Sequence, residues 1–157
     1  MATGKGYRHT QVGYVTMISI ALAIMLELGV LLLILLLGGM SWFAFWFIMA
    51  VVVLLVALLC VFSTLTAIVD ETCVTASFGP GLLKFSYPLQ DIVSAKAVFN
   101  SWRYGYGVRL LKTGWLYNVS GLKAVEITLK SGRAHRIGTN EPEKLARAIR
   151  KGMKNRG

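Results

Sequence analysis

VTMISIALAIMLELGVLLLILLL, residues Val15–Leu37, runs apolar for about 23 residues and carries one charge, Glu27. At about 1.5 Å rise per residue such a helix covers about 34 Å, enough for a hydrocarbon core of about 30 Å. A few residues on, WFAFWFIMAVVVLLVALLCVFSTL, Trp42–Leu65, repeats the pattern without any charge. Gly38-Gly39-Met40-Ser41 between them reads as a tight turn. So short a connection makes the helices antiparallel neighbours, a transmembrane hairpin over residues 15–65. A cleavable signal peptide has a shorter apolar region, of about 7–15 residues, followed by a small-residue cleavage site. The first run is longer and leads into a second span, so it reads as membrane-spanning.

Outward from the hairpin, charge sets the orientation. The chain of 157 residues has a net charge of +10, and almost all of its charge lies outside the two spans. From Val69 to Gly157 there are 15 Lys and Arg against 6 Asp and Glu, a net +9. Lys5 and Arg8, with His9 beside them, precede the first span, and the turn between the spans is uncharged. Cationic flanks stay on the cytoplasmic side, so both termini are expected there, with residues 1–14 as a cytoplasmic tail. Trp42, Phe43, Phe45, Trp46 and Phe47 crowd the outer turn and Tyr7 and Tyr14 the inner face, an aromatic belt at each interface. Cys60 and Cys73 have no Cys or His partner at metal spacing and read as free thiols of a reducing compartment.

A lone carboxylate at the centre of a span costs at least about 2.5 kcal/mol if charged. Glu27 therefore reads either as a contact to another subunit or as a protonated side chain bonded to a neighbouring helix. Ser63 and Thr64 are poor candidates for that bond, being nearer the inner interface. Proton transport is not expected, because no second ionisable residue joins Glu27 in either helix.

After Thr66 the pattern changes to short alternating runs broken by turns. Strands are expected at Thr72–Phe78, Leu82–Tyr87, Ile92–Phe99, Val108–Leu111, Leu116–Val119, Ala124–Leu129 and Arg133–Ile137. Thr139-Asn140 then reads as the cap of a helix with Pro142 in its first turn, where a missing N–H costs nothing. Glu141 and Glu143 suit the positive end of that helix, and Arg147, Arg150 and Lys151 its negative end. Leu145, Ala148 and Ile149 form the stripe that seats it on the sheet.

Two stretches carry a resemblance: Val125–Arg133 with Arg136–Glu143, and Ser101–Arg109 with Gly114–Val119. They resemble bacterial PH-like (pleckstrin-homology-like) domains, which commonly follow a transmembrane hairpin in small membrane proteins. The resemblance covers roughly the last 85 residues. It implies a membrane α-helical hairpin plus an α+β domain over residues 69–157. That domain would be a seven-stranded bent β-sandwich or barrel, capped by its C-terminal α-helix. It also implies a multi-pass protein of the bacterial inner (cytoplasmic) membrane. PH domains that bind phosphoinositides carry a Lys/Arg cluster around the first two strands and their loop. Here that loop, Phe78–Leu83, has only Lys84 nearby, which argues against an inositol-phosphate pocket. The fold alone does not set the function.

The residues exclude more chemistry than they offer. His9 and His135 are the only histidines, and neither falls in a nucleophile–base or metal-ligand arrangement. No catalytic, cofactor or metal site is expected, and the chain reads as no enzyme. The spans hold no histidine for haem. Gly105-Tyr106-Gly107 lacks the strand-to-helix setting of a nucleotide loop, and a cytoplasmic Asn118-Val119-Ser120 would not meet a glycosylation enzyme.

What remains is a surface. Trp102, Tyr104 and Tyr106 alternate with Arg103, Gly105 and Gly107, Arg109 follows, and Trp115 and Tyr117 come soon after. Aromatics and Arg are enriched in binding hot spots. Trp102, Arg103, Tyr104, Tyr106, Arg109 and Trp115 are thus candidates, with Glu27, for partner contact; the alternative is that some rings fill the core. Nucleic acid is not the expected partner of a tethered module. Arg133, Arg136, Arg147, Arg150, Lys151, Lys154 and Arg156 make a basic face, solvated or lying on anionic inner-leaflet lipid at about 1 kcal/mol per cation. The expected role is an accessory or scaffold subunit of a larger membrane protein complex. The alternatives are a peripheral sensor of anionic headgroups and a self-assembling homo-oligomer.

Overall fold

The computed structural model describes residues 6–39 and 41–155. Lys5 of the tail, Met40 of the turn and Arg156 of the basic face lie outside the described residues.

Strand β1, Tyr7–Val12, comes first, then helix α1, Tyr14–Leu36, and helix α2, Trp42–Phe62. Both helices are long and apolar enough to cross a membrane. In hydrocarbon a helix is the natural state of such a segment, because every backbone polar group is satisfied within it. Gly38 adopts φ 70° and ends α1, and the Ser41 hydroxyl caps α2 by accepting the Ala44 N–H at 3.2 Å. The helices pack on each other, yet α1 has no buried residue and α2 only Ile48, so their outer surfaces stand free of the rest of the chain.

The remaining strands are β2 Thr64–Val69, β3 Cys73–Phe78, β4 Leu83–Pro88, β5 Ile92–Phe99, β6 Gly107–Leu110, β7 Trp115–Asn118, β8 Lys123–Leu129 and β9 Ala134–Gly138, followed by helix α3, Pro142–Lys154. One sheet has the order β1-β2-β3-β4 and the other β5-β8-β9-β7-β6. All pairs are antiparallel except β7 with β9. Alternate residues point inward, as the period of two requires: Leu65, Ala67 and Val69 from β2, Val74, Ala76 and Phe78 from β3, Val125 and Ile127 from β8. Leu145, Ala146 and Ile149 of α3 close the core.

The expected tail is therefore part of the domain. β1 pairs with β2 in register from Tyr7↔Val69 to Val12↔Thr64. The second helix stops at Phe62 rather than Leu65, and the domain resumes at Thr64, not Val69. Among the described residues the sandwich has nine strands instead of seven, and the apolar helical hairpin is an insertion between two adjacent strands of one sheet. The expected Thr139-Asn140 cap is also corrected. Glu141 occupies the cap position without a side-chain bond, and the Thr139 hydroxyl accepts the Glu141 N–H at 3.1 Å.

The joints are short: Gly13 alone separates β1 from α1, and Ser63 alone separates α2 from β2. The Gly13 N–H donates to the Ser63 carbonyl at 2.7 Å. Thr16 donates to the Val119 carbonyl at 2.8 Å and the Gln11 amide to that of Ser120 at 2.6 Å. Phe62 packs edge-on against Phe78, with ring centroids 5.4 Å apart. Helix and sandwich thus share side-chain contacts across both joints. We call the end of the sandwich from which the helices leave the proximal rim, and the opposite end the distal rim.

Candidate functional site

Trp102–Tyr104 forms a single 3-10 turn in the loop between β5 and β6, opened by the Ser101 hydroxyl accepting the Arg103 N–H at 3.4 Å. Gly105 and Gly107, at φ 67° and 93°, return the chain into β6 through a conformation that side chains rarely adopt. Trp102 is exposed, and the Arg103 guanidinium lies 6.0 Å from its ring centre. Arg109 folds back to donate to the Tyr106 carbonyl at 3.1 Å. This cluster is on the proximal rim: the Asn100 N–H donates to the Leu122 carbonyl at 2.7 Å, beside the Val119 carbonyl that receives Thr16.

Trp115 does not join it. It pairs with Leu110 at the distal end of the β6–β7 hairpin. Tyr117 is fully buried, stacked on Phe85 at 4.4 Å between centroids. The structure thus brings Trp102, Arg103, Tyr104, Tyr106 and Arg109 together and sets Trp115 apart.

The basic face divides too. Arg136 is drawn inward, pairing with Glu126 at 2.8 Å, donating to Asn100 Oδ1 at 3.2 Å and lying 6.0 Å from the Tyr104 ring centre. Arg133, Arg147, Arg150, Lys151 and Lys154 are exposed. α3 runs towards the distal rim, where Gly152 meets Leu89, so Arg150, Lys151 and Lys154 sit away from the end at which the helices leave. Arg150 and Lys154, with Lys96, border a shallow groove of about 470 Å³ floored by Ala95 and Met153.

Glu27 lies half-buried in α1 and makes no side-chain hydrogen bond or ion pair among the described residues.

Two polar clusters were not legible in the sequence. His135 is buried, and its Nδ1 accepts the Trp115 N–H at 3.2 Å and faces the Tyr87 hydroxyl at 3.1 Å, which in turn meets the Tyr117 hydroxyl at 2.5 Å. An acceptor nitrogen is unprotonated, so Tyr87 donates to His135 and Tyr117 to Tyr87. Burial first, and Arg133 second, lower the His135 pKa; burial raises those of both tyrosines. The second cluster ties β1 to the start of α3. His9 Nε2 meets Asn140 Oδ1 at 2.5 Å and Nδ1 faces Glu141 at 3.4 Å. Period-two alternation marked neither, because the partners come from strands far apart in sequence. Among the described residues no three His, Cys, Asp or Glu side chains gather where a metal ion could sit.

No family model matches this chain, and no curated protein or solved structure matches it either.

Proposed function

We propose that this chain is a non-catalytic, membrane-anchored interaction module of PH-like kind, an accessory or scaffold subunit of a larger complex in a bacterial inner membrane. The observation that carries the reading is Glu27. A carboxyl at mid-span is costly without a polar partner, and the hairpin supplies none among the described residues. A neighbouring subunit in the bilayer would supply that partner. The two-sheet sandwich, closed by one C-terminal helix with Leu145 and Ile149 buried, supports the PH-like reading. The net +9 from Val69 onward supports a cytoplasmic domain and cytoplasmic termini. The one-residue joints suit a scaffold, since a subunit gripping the hairpin also fixes the domain above it.

Native mass spectrometry of the tagged chain in mild detergent tests this. A stoichiometric second protein, lost on Glu27→Leu, is the expected result. A homo-oligomer lost on the same substitution would assign Glu27 to self-assembly, and a monomer would remove the basis for a lateral partner.

A further inference from the structure

Three loops surround the base of the hairpin. The β3–β4 turn lies against the end of α2: a Cβ on Gly79 would fall 2.5 Å from the Cys60 carbonyl and 2.8 Å from that of Val61. The β7–β8 loop lies against the first turn of α1, where Thr16 donates to the Val119 carbonyl. The β5–β6 loop is bonded to the β7–β8 loop from Asn100 to Leu122.

Each loop presents apolar side chains outward. Leu82 is 68 % exposed, Phe99 75 %, Trp102 75 % and Leu122 41 %. The domain's other exposed large apolar residues away from this rim are fewer: Val93, and the cross-strand pair Leu110 and Trp115 at the distal end of the β6–β7 hairpin. Lys84, Arg103 and Lys123 flank or occupy the three loops, and no acidic residue lies in them, whereas the distal turns mix Asp70, Glu71 and Asp91 with Lys112, Lys130 and Arg133. Exposed apolar side chains gathered in one patch mark a covered surface. An aromatic ring among apolar and cationic side chains is the pattern of the membrane–water boundary.

We propose that the proximal rim is a second membrane-contact surface, with Leu82, Phe99, Trp102 and Leu122 seated in the headgroup boundary of the bilayer that the hairpin crosses. The occupant is lipid because the patch is continuous with the helix ends: the same loops that carry it touch Thr16, Cys60 and Val61. With a single residue at each joint, the sandwich has no tether on which to stand clear of the bilayer. Trp102 thereby leaves the set of protein-partner residues, and the distal face with Arg150 and Lys154 is left to meet a soluble partner. The proposal rests on the hairpin spanning the membrane but not on the accessory-subunit reading.

Tryptophan fluorescence in nanodiscs of phosphatidylcholine and phosphatidylglycerol, with and without bromine high on the acyl chains, tests it. Three single-tryptophan full-length chains are compared, retaining Trp46, Trp102 or Trp115 and carrying Phe at the other three tryptophan positions. Trp46 reports on the hairpin. The expected result is blue-shifted, bromine-quenched emission from Trp46 and Trp102, with Trp115 unquenched. Quenching of Trp46 without Trp102 would overturn the rim contact and leave the hairpin in the bilayer. Loss of quenching at Trp46 would overturn the spanning hairpin itself. Trypsin treatment of the wild-type chain in the same nanodiscs is independent of these substitutions: cleavage at Arg133 with protection at Arg103 is expected, and ready cleavage at Arg103 overturns the contact.

Discussion

His135 holds two partners through one unprotonated nitrogen, and that makes it the most pH-sensitive residue of the core. Its folded pKa lies below the ordinary value of about 6.5, so as pH falls the unfolded chain takes up its proton first. Stability from this site is therefore complete above about pH 6.5 and declines below it, until the folded pKa is passed. The thermal midpoint of the purified chain should fall on acidification through this range, and less so in His135→Gln. The tyrosines differ in the same network. Tyr87→Phe leaves the buried Tyr117 hydroxyl without its acceptor and should cost about 1–3 kcal/mol. Tyr117→Phe leaves Tyr87 still able to donate to His135 and should cost about 1 kcal/mol. Chemical denaturation of the two variants checks the order. None of this was legible in the sequence, where His135 was only a histidine between two arginines on a strand. Its partners arrive from β4 and β7 through pairing that no local pattern encodes.

At the scale of elements, the hairpin and the seven strands after Thr72 were legible because their signals are local: a long apolar run, or alternation bounded by turns. β1 and β2 were not. Thr64–Val69 continues the apolar run of α2 without a break, so its alternation of Thr64, Thr66 and Ile68 on one face with Leu65, Ala67 and Val69 on the core face was absorbed into the span. Tyr7–Val12 has no apolar alternation and becomes a strand only because β2 lies beside it. The joints that follow are sterically tight. Gly79 is at φ 52° with two α2 carbonyls within 2.8 Å of an added Cβ, whereas Gly81, at φ 94°, would meet first the flexible Lys84 side chain. Gly81→Ala should cost about 1–2 kcal/mol from backbone conformation alone. Gly79→Ala should lower the melting temperature further, because backbone must move. Near-UV circular dichroism of the two variants measures the difference.

For the whole molecule, the basic domain was legible as a unit, but its start was not. A fragment beginning at Val69 lacks β1 and nearly all of β2, with Leu65 and Ala67 of the core, and should remain unfolded. Residues 6–12 joined to 64–155 through Asn-Gly should instead fold. Val12 and Thr64 are cross-strand partners, the spacing a two-residue hairpin turn bridges. Amide chemical-shift dispersion separates the two outcomes.

The insertion of the hairpin between paired strands has a consequence for synthesis. β1 leaves the ribosome about fifty residues ahead of β2; with the hairpin crossing a bilayer as proposed, both apolar helices would have to be threaded before the two strands could meet. If only one helix crossed, β1 and β2 would be stranded on opposite sides of the bilayer and the first sheet would be left incomplete. On that reading, closing the sheet would report that the chain has gone out and come back.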